Sequence, residues 1–211
     1  MKLLLFLAQL IFAFQTLSAQ NGYVKFKDSD STLVGFVRPY IPVVQGPHGL
    51  EVWRDKRDPE PIRISKAEIA EYAINNDTFR ILHQFKPFPS ASTFYEYIEA
   101  QIVTRGKVTL LSIVNYNDPG SATIYMGGGL VPVAIDMIAW RNDIQRIMGA
   151  QSKMYVLENR NGYSAVSPRK KELRESLLDF FPDKFVEKYE SVYGEVNYRH
   201  LDDMVRFYNS K

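Results

Sequence analysis

Residues 94–116 read FYEYIEAQIVTRGKVTLLSIVNY, two runs of β-strand character that meet at Arg105-Gly106. Both runs are rich in β-branched and aromatic residues, which favour strands, and their side chains alternate between two faces. The stretch from Phe94 to Thr104 therefore predicts one strand, and the stretch from Lys107 to Tyr116 predicts its antiparallel partner. We expect this hairpin to lie at the centre of the sheet.

Two further hairpins are expected, one on each side of the first along the chain. The stretch from Tyr23 to Val37 alternates around Asp28-Ser29-Asp30-Ser31, which has the composition of a turn. Lys153 to Glu158 and Tyr163 to Val166 flank Asn161-Gly162, a dipeptide that suits a tight turn with positive φ. Most of the chain before Pro168 is thus predicted to be antiparallel β-structure.

The C-terminal end has helical rather than β periodicity. Three apolar stripes at helical spacing predict three short helices. The stripes are Leu173, Leu177, Leu178 and Phe181; Phe185, Val186, Tyr189 and Val192; and Leu201, Met204, Val205 and Tyr208. Ser167 before Pro168 predicts the cap and first turn of the first helix, whereas Pro182 and Gly194 predict the start and the end of the second.

Two helical signals also occur within the β-rich part of the chain. Ser65 and Glu68 have the spacing of a capping box, which predicts one helical turn. Between the second and third hairpins, Asn117 to Ser152 is less regular, and apolar residues at spacings of three and four predict an amphipathic helix at 132–148. The stretch from Leu130 to Ile135 contains enough β-branched residues for a strand, which is the alternative.

These elements predict an α+β protein with a mainly antiparallel, curved sheet and three short C-terminal helices packed against it. We divide the chain into a signal peptide at 1–19, a β-rich domain at 20–166 and a helical segment at 167–211 that packs on the same domain. The length remaining after residue 19 suits one domain with a helical appendage.

The first nineteen residues have the pattern of a secretory signal peptide. Lys2 is followed by an apolar run from Leu3 to Phe14, and small residues precede the expected cleavage site after Ala19. The run has about twelve residues, whereas about twenty are needed to cross a bilayer as a helix. We therefore expect a cleaved signal, no transmembrane anchor in the mature protein, and a location in the periplasm, on the cell surface or outside the cell.

Composition and charge exclude several functional classes. The chain has no cysteine, which excludes disulfides, thiolate metal sites and a cysteine nucleophile. Its 26 basic and 24 acidic residues nearly balance, which does not favour nucleic acid as a partner. The three histidines, His48, His83 and His200, lie far apart with no acid at metal-ligand spacing. We predict neither a metal site nor a cofactor.

A series of short motifs runs in order along most of the chain. The motifs are Gly22-Tyr23-Val24, Thr32-Leu33 with Gly35 and Val37, Ile69 with Tyr72, Ile98-Glu99, Gly106-Lys107-Val108 with Leu110, Leu173 with Leu177-Leu178-Asp179, and Asp202, Val205 and Tyr208-Asn209. In this order they resemble a family of uncharacterised exported bacterial proteins with an N-terminal β region and a short helical C-terminus. The resemblance implies the same α+β architecture and brings no known catalytic residue.

Three residues of the first strand of the central hairpin are candidates for function. Glu96 shares a strand face with Ile98 and Ile102, where a buried carboxylate would have a raised pKa and could act as an acid; the alternative is a structural ion pair near the strand end. Tyr95 and Tyr97 share the other face and could stack on a sugar or a peptide, or instead pack beneath the C-terminal helices.

The sequence favours an exported, non-enzymatic binding or structural protein of the bacterial envelope, because it begins with a signal-peptide pattern and lacks a catalytic motif. The partner would be an envelope protein or a glycan. The alternative is a secreted hydrolase that acts on glycans with a pair of carboxylates, which would have to face each other across a cleft.

Overall fold

In the part of the chain that the structure describes, antiparallel strands are followed by three α-helices near the C-terminus. A computed structural model of the chain describes residues 20–40, 49–87, 95–114, 123–124, 148 and 153–211. The expected signal peptide at 1–19 lies outside the described residues, and so does the expected helix at 132–148 except for Met148, which is buried. The chain divides into two units, residues 1–78 and 79–211.

The first unit is a five-stranded antiparallel sheet. Its strands are β1 (Gln20–Phe26), β2 (Thr32–Tyr40), β3 (Gly49–Trp53), β4 (Ile62–Ser65) and β5 (Ile69–Ile74). They lie in the order β5-β1-β2-β3-β4, with the expected hairpin formed by β1 and β2. The predicted capping box is confirmed, because the hydroxyl of Ser65 accepts from a backbone N–H and the carboxylate of Glu68 accepts from the N–H of Ser65.

The second unit contains the central hairpin and the helices. Its strands are β6 (Asp77–Phe85), β7 (Tyr95–Thr104), β8 (Thr109–Val114), β9 (Thr123–Ile124), β10 (Lys153–Asn159) and β11 (Gly162–Ala165). The first two residues of β6 belong to the first unit. They lie in the order β11-β10-β8-β7-β6, while β9 pairs with β7. The predicted hairpin is therefore the centre of this sheet. A register shift in β7 between Ile102 and Thr104 marks a bulge, and bulges bend strands.

The three predicted helices are α1 (Lys170–Leu178), α2 (Asp183–Tyr193) and α3 (Leu201–Asn209). Their apolar side chains form one core with β7, β8 and β10, in which Leu177, Val186 and Leu201 have no exposed surface. The α+β class, with a bent antiparallel sheet and three C-terminal helices packed against it, is thus confirmed. Gly194 ends α2 with a φ of 83°, as its sequence position predicts.

The first helix begins later than predicted. Arg169 occupies the N-cap, and the first helical hydrogen bond runs from the N–H of Leu173 to the carbonyl of Arg169. Ser167 acts in the preceding turn: its hydroxyl accepts from the N–H of Arg169 at 3.3 Å and donates to Glu172 at 2.8 Å. Pro168 therefore precedes the helix instead of forming its first turn.

Two members of the predicted apolar stripes are exposed. Leu178 is 40% exposed and Val192 is 59% exposed. Leu178 lies about 100° round the helix from the fully buried Leu177, at the edge of the apolar stripe, and is only partly covered there. Val192 lies in the last turn of α2 beside Tyr193, which is 61% exposed, so both side chains reach into solvent.

The end of α3 is hydrogen-bonded to the turn of the central hairpin through Asn209. The side-chain amide of Asn209 donates to the carbonyl of Val108 at 2.7 Å, and its oxygen accepts from the N–H of Val108 at 3.1 Å. The side chain lies so close to the turn that a Cβ on Gly106 would come within 2.2 Å of it. Asn209 thus satisfies backbone groups of the turn that the β7–β8 ladder leaves unpaired.

Candidate functional site

Both candidate tyrosines of β7 are inside the protein. Tyr95 is 1% exposed and Tyr97 is 5% exposed. Tyr95 belongs to the core of the second unit, where its ring centroid lies 6.2 Å from that of Phe85. Burial raises the pKa of Tyr95 far above its ordinary value, because the interior disfavours the charged phenolate. Neither ring has the exposed face that stacking on a ligand requires.

Glu96 lies between these tyrosines and is partly exposed. No cation of the described residues forms an ion pair with it, so the structural pairing considered above is not seen in this part of the chain. His83 is partly buried on β6, His200 is exposed at the start of α3, and His48 lies outside the described residues. Among the described residues, no three histidine or acidic side chains are grouped as metal ligands.

A surface that the sequence does not single out lies on one side of the first unit. Alternation along β1, β2 and β3 buries Val24, Val37 and Val52 on one face of the sheet. The other face carries four partly exposed aromatic rings with a cation over each. We call it the aromatic–basic face; it consists of Tyr23 with Lys25, Trp53 with Arg38, Phe36 with Lys56, and Tyr40 with Arg63.

A buried carboxylate organises the centre of this face. Strand register places Glu51 of β3 between Arg38 of β2 and Arg63 of β4. Arg38 donates from Nε to Oε2 of Glu51 at 3.2 Å and also from Nη2, while Arg63 donates from Nε to Oε1 at 3.1 Å. Glu51 is 3% exposed, so both of its oxygens are occupied by guanidinium groups that cover it.

The two arginines keep Glu51 ionised. Burial alone would raise the pKa of this carboxyl, but the hydrogen bonds and positive charges of Arg38 and Arg63 outweigh burial, and the pKa lies below its ordinary value. A general acid needs the opposite, a carboxyl that still holds its proton near neutral pH. Glu51 is therefore suited to positioning the arginines and not to proton transfer.

Three of these cations also contact an aromatic ring. The guanidinium of Arg38 lies 4.9 Å from the ring centroid of Trp53, and that of Arg63 lies 4.8 Å from the ring centroid of Tyr40. The ammonium of Lys56 lies 4.8 Å from the ring of Phe36. Such contacts orient a flexible cation at an energy of about 0.5–1 kcal/mol each at exposed sites. The arginines are thus fixed both by Glu51 and by stacking.

A second buried carboxylate lies further along the same face. The phenolic hydroxyl of Tyr23 donates to Oε1 of Glu71 at 2.6 Å, and the ammonium of Lys25 lies 3.5 Å from the same oxygen. Glu71 is 4% exposed. On the strands of this face, three cations, Lys25, Arg38 and Arg63, thus accompany two buried carboxylates, so positive charge is in excess there.

The stability that Glu51 contributes should depend on pH. Its folded-state pKa is lowered, so this contribution is complete above the ordinary value of 4.5 and is lost as the pH falls through the lower, folded-state pKa. We expect Glu51→Gln to reduce the free energy of unfolding by about 1–3 kcal/mol at pH 7 and by progressively less below pH 4.5. Urea unfolding between pH 3 and pH 7 measures this. Glu60→Gln, a change at an exposed acid of the same unit, should have little effect; an equal loss at every pH for Glu51→Gln would contradict the account.

The second unit has an aromatic cavity of its own between α2 and α3. It measures about 390 Å³ and is lined by Tyr189, Tyr193, Phe207 and several charged residues. Two of those charges are already paired: Glu195 lies 2.7 Å from Lys170, and Arg206 lies 2.9 Å from Asp202. The cavity is therefore lined by charges of both signs, whereas the carboxylates of the aromatic–basic face are buried.

The sequence contains part of the signal for this face. Arg38 and Tyr40 alternate on β2, and Glu51 and Trp53 alternate on β3, which indicates polar and aromatic residues on one side of each strand. The match of Arg38, Glu51 and Arg63 across three strands depends on register, which residues distant in sequence do not reveal.

In the part of the chain that the structure describes, no helix is both long enough and apolar enough to cross a membrane. Comparison with protein-family models, curated proteins and solved structures gave no match to this chain.

Proposed function

We propose that this protein is an exported, non-enzymatic binding protein of the bacterial envelope and that the aromatic–basic face is its binding surface. The observation that carries the proposal is the arrangement of four partly exposed rings and their cations on one rigid sheet face. Binding sites are more precise when side chains project from strands and are locked by neighbouring hydrogen bonds. Export rests on the signal pattern of residues 1–19.

The chemistry of the face favours binding over hydrolysis. A carboxylate-dependent hydrolase needs one carboxyl that can donate a proton and a second that can reach the substrate or a water molecule. Glu51 and Glu71 are both buried, and each has a cation within 3.5 Å. The outer layer of the face instead consists of rings and positively charged groups, which can hold a ligand without reacting with it.

Binding of the purified protein to isolated envelope fragments tests this proposal. We expect the wild-type protein to sediment with the fragments and Trp53→Ala to lose about tenfold or more in affinity, because an interfacial tryptophan commonly contributes more than 1 kcal/mol. Tyr193→Ala is the matched control, since it removes an aromatic ring that is 61% exposed on the second unit. If both variants sediment like the wild type, the face is not the binding surface.

A further inference from the structure

The ligand class can be inferred from the hydrogen-bond donors that the aromatic–basic face leaves unused; this step rests on the proposed function. Arg63 uses only Nε for Glu51, and Arg38 uses Nε and Nη2. Both terminal nitrogens of Arg63 and one of Arg38 make no hydrogen bond to a described residue. The side chain of Arg63 is 64% exposed, so its unused N–H groups are accessible.

Guanidinium groups held in this way are suited to anionic oxygens. A planar guanidinium presents paired N–H groups that match both oxygens of a carboxylate or two oxygens of a phosphate. Glu51 and Tyr40 fix the plane of the Arg63 guanidinium before any ligand arrives, which reduces the conformational entropy that binding would cost. The excess of cations over carboxylates on the face favours a negatively charged ligand.

The rings add a second requirement, namely a ligand with flat apolar surfaces between its charges. Trp53 and Tyr40 are partly exposed and lie beside Arg38 and Arg63, respectively. An aromatic ring can stack on the C–H face of a sugar, while neighbouring polar groups bind its substituents. The rings and cations span β1 to β4, with adjacent strands about 4.8 Å apart, so the face suits an extended chain better than a single small ion.

We propose that the aromatic–basic face binds an acidic polysaccharide, a chain of sugars that carry carboxylate groups. The rings of Trp53 and Tyr40 stack on sugar rings through the ring surface that the guanidinium groups leave exposed, and the free N–H groups of Arg63 and Arg38 bind the sugar carboxylates. Glu51 is a positioning residue that holds both guanidinium groups in place. Because charge and stacking act together, neither a neutral polysaccharide nor an acidic polymer without sugars should bind as well.

Polygalacturonate provides a probe with a matched neutral form. Isothermal titration should show the protein binding polygalacturonate at least about tenfold more tightly than the fully methyl-esterified polymer, from which the charge has been removed, and than polyglutamate, which is charged but has no sugar ring. Arg63→Gln should weaken binding to polygalacturonate about tenfold, and raising the salt concentration should weaken binding to the wild type. Arg199→Gln, at an exposed arginine of the second unit, is the matched control and should not change the affinity.

Each contrary result overturns a different part of the inference. Equal binding of the methyl ester would overturn the role of charge, equal binding of polyglutamate would overturn the role of the sugar rings, and tighter binding of single-stranded DNA would identify the face as a nucleic-acid surface. If polygalacturonate does not bind while Trp53→Ala still weakens sedimentation with envelope fragments, the acidic polysaccharide is excluded and the proposed function stands. If Trp53→Ala also sediments normally, both fail.

Discussion

Replacing Gly35 by valine should destabilise the first unit by about 3–5 kcal/mol, which is at the upper end of what a single substitution does. Gly35 lies in β2 opposite Gly22 of β1, and a Cβ added at Gly35 would lie 2.2 Å from the carbonyl oxygen of Trp53. The contact is with backbone, so no side-chain rotation can relieve it. Strands β2 and β3 would have to separate, which breaks the hydrogen bonds that hold them together.

Urea unfolding followed by tryptophan fluorescence and by circular dichroism measures this effect. Val34→Ala is the matched control on the same strand: Val34 is 68% exposed, and its replacement should change the free energy of unfolding by less than about 0.5 kcal/mol. The Gly35→Val variant should also lose binding to envelope fragments, because β2 and β3 carry Arg38, Glu51 and Trp53. A variant as stable as the wild type would show that β2 and β3 do not approach as closely as described.

Replacing Leu201 by alanine should destabilise the second unit by about 2–5 kcal/mol, the range observed when a buried leucine is truncated. Leu201 begins α3 and has no exposed surface. It lies in the core that joins the helices to the central hairpin, so truncation removes buried apolar area and leaves a cavity.

Leu178→Ala is the matched control, because it makes the same chemical change at a leucine that is 40% exposed on α1. We expect a loss below about 1 kcal/mol for this variant. Urea unfolding of both variants, monitored by circular dichroism, makes the comparison. Equal losses at the two positions would contradict the packing of α3 on the sheet.

Local signals predicted much of the fold. The hairpin turns, the capping box at Ser65 and the helix end at Gly194 each depend on residues close together in sequence, and the structure confirms all three. The local predictions that failed concern the first turn of α1 and the borders of apolar stripes. At Leu178 and Val192 the periodicity is helical, but packing decides how far round each helix the core extends.

The site was harder to predict, because the alternation of side chains along a strand does not show which residues are exposed when the strand is central. Alternation separates buried from exposed residues only where one face of a strand meets water. In β7, the neighbouring residues Tyr97 and Ile98 are both buried, so both faces are covered there and alternation does not identify exposed rings. The aromatic–basic face lies instead on the first unit. Its central feature is Glu51 between two arginines, and these three residues become neighbours only through the pairing register of three strands.

The central claim is that the aromatic–basic face contacts the ligand in the envelope. Amide hydrogen exchange of the wild-type protein, measured with and without envelope fragments, tests it most directly, because it reports which backbone segments are protected by bound material. We predict added protection in β2, β3 and β4, with the helices α2 and α3 unchanged. Protection confined to α2 and α3, with none in β2 to β4, would contradict the claim.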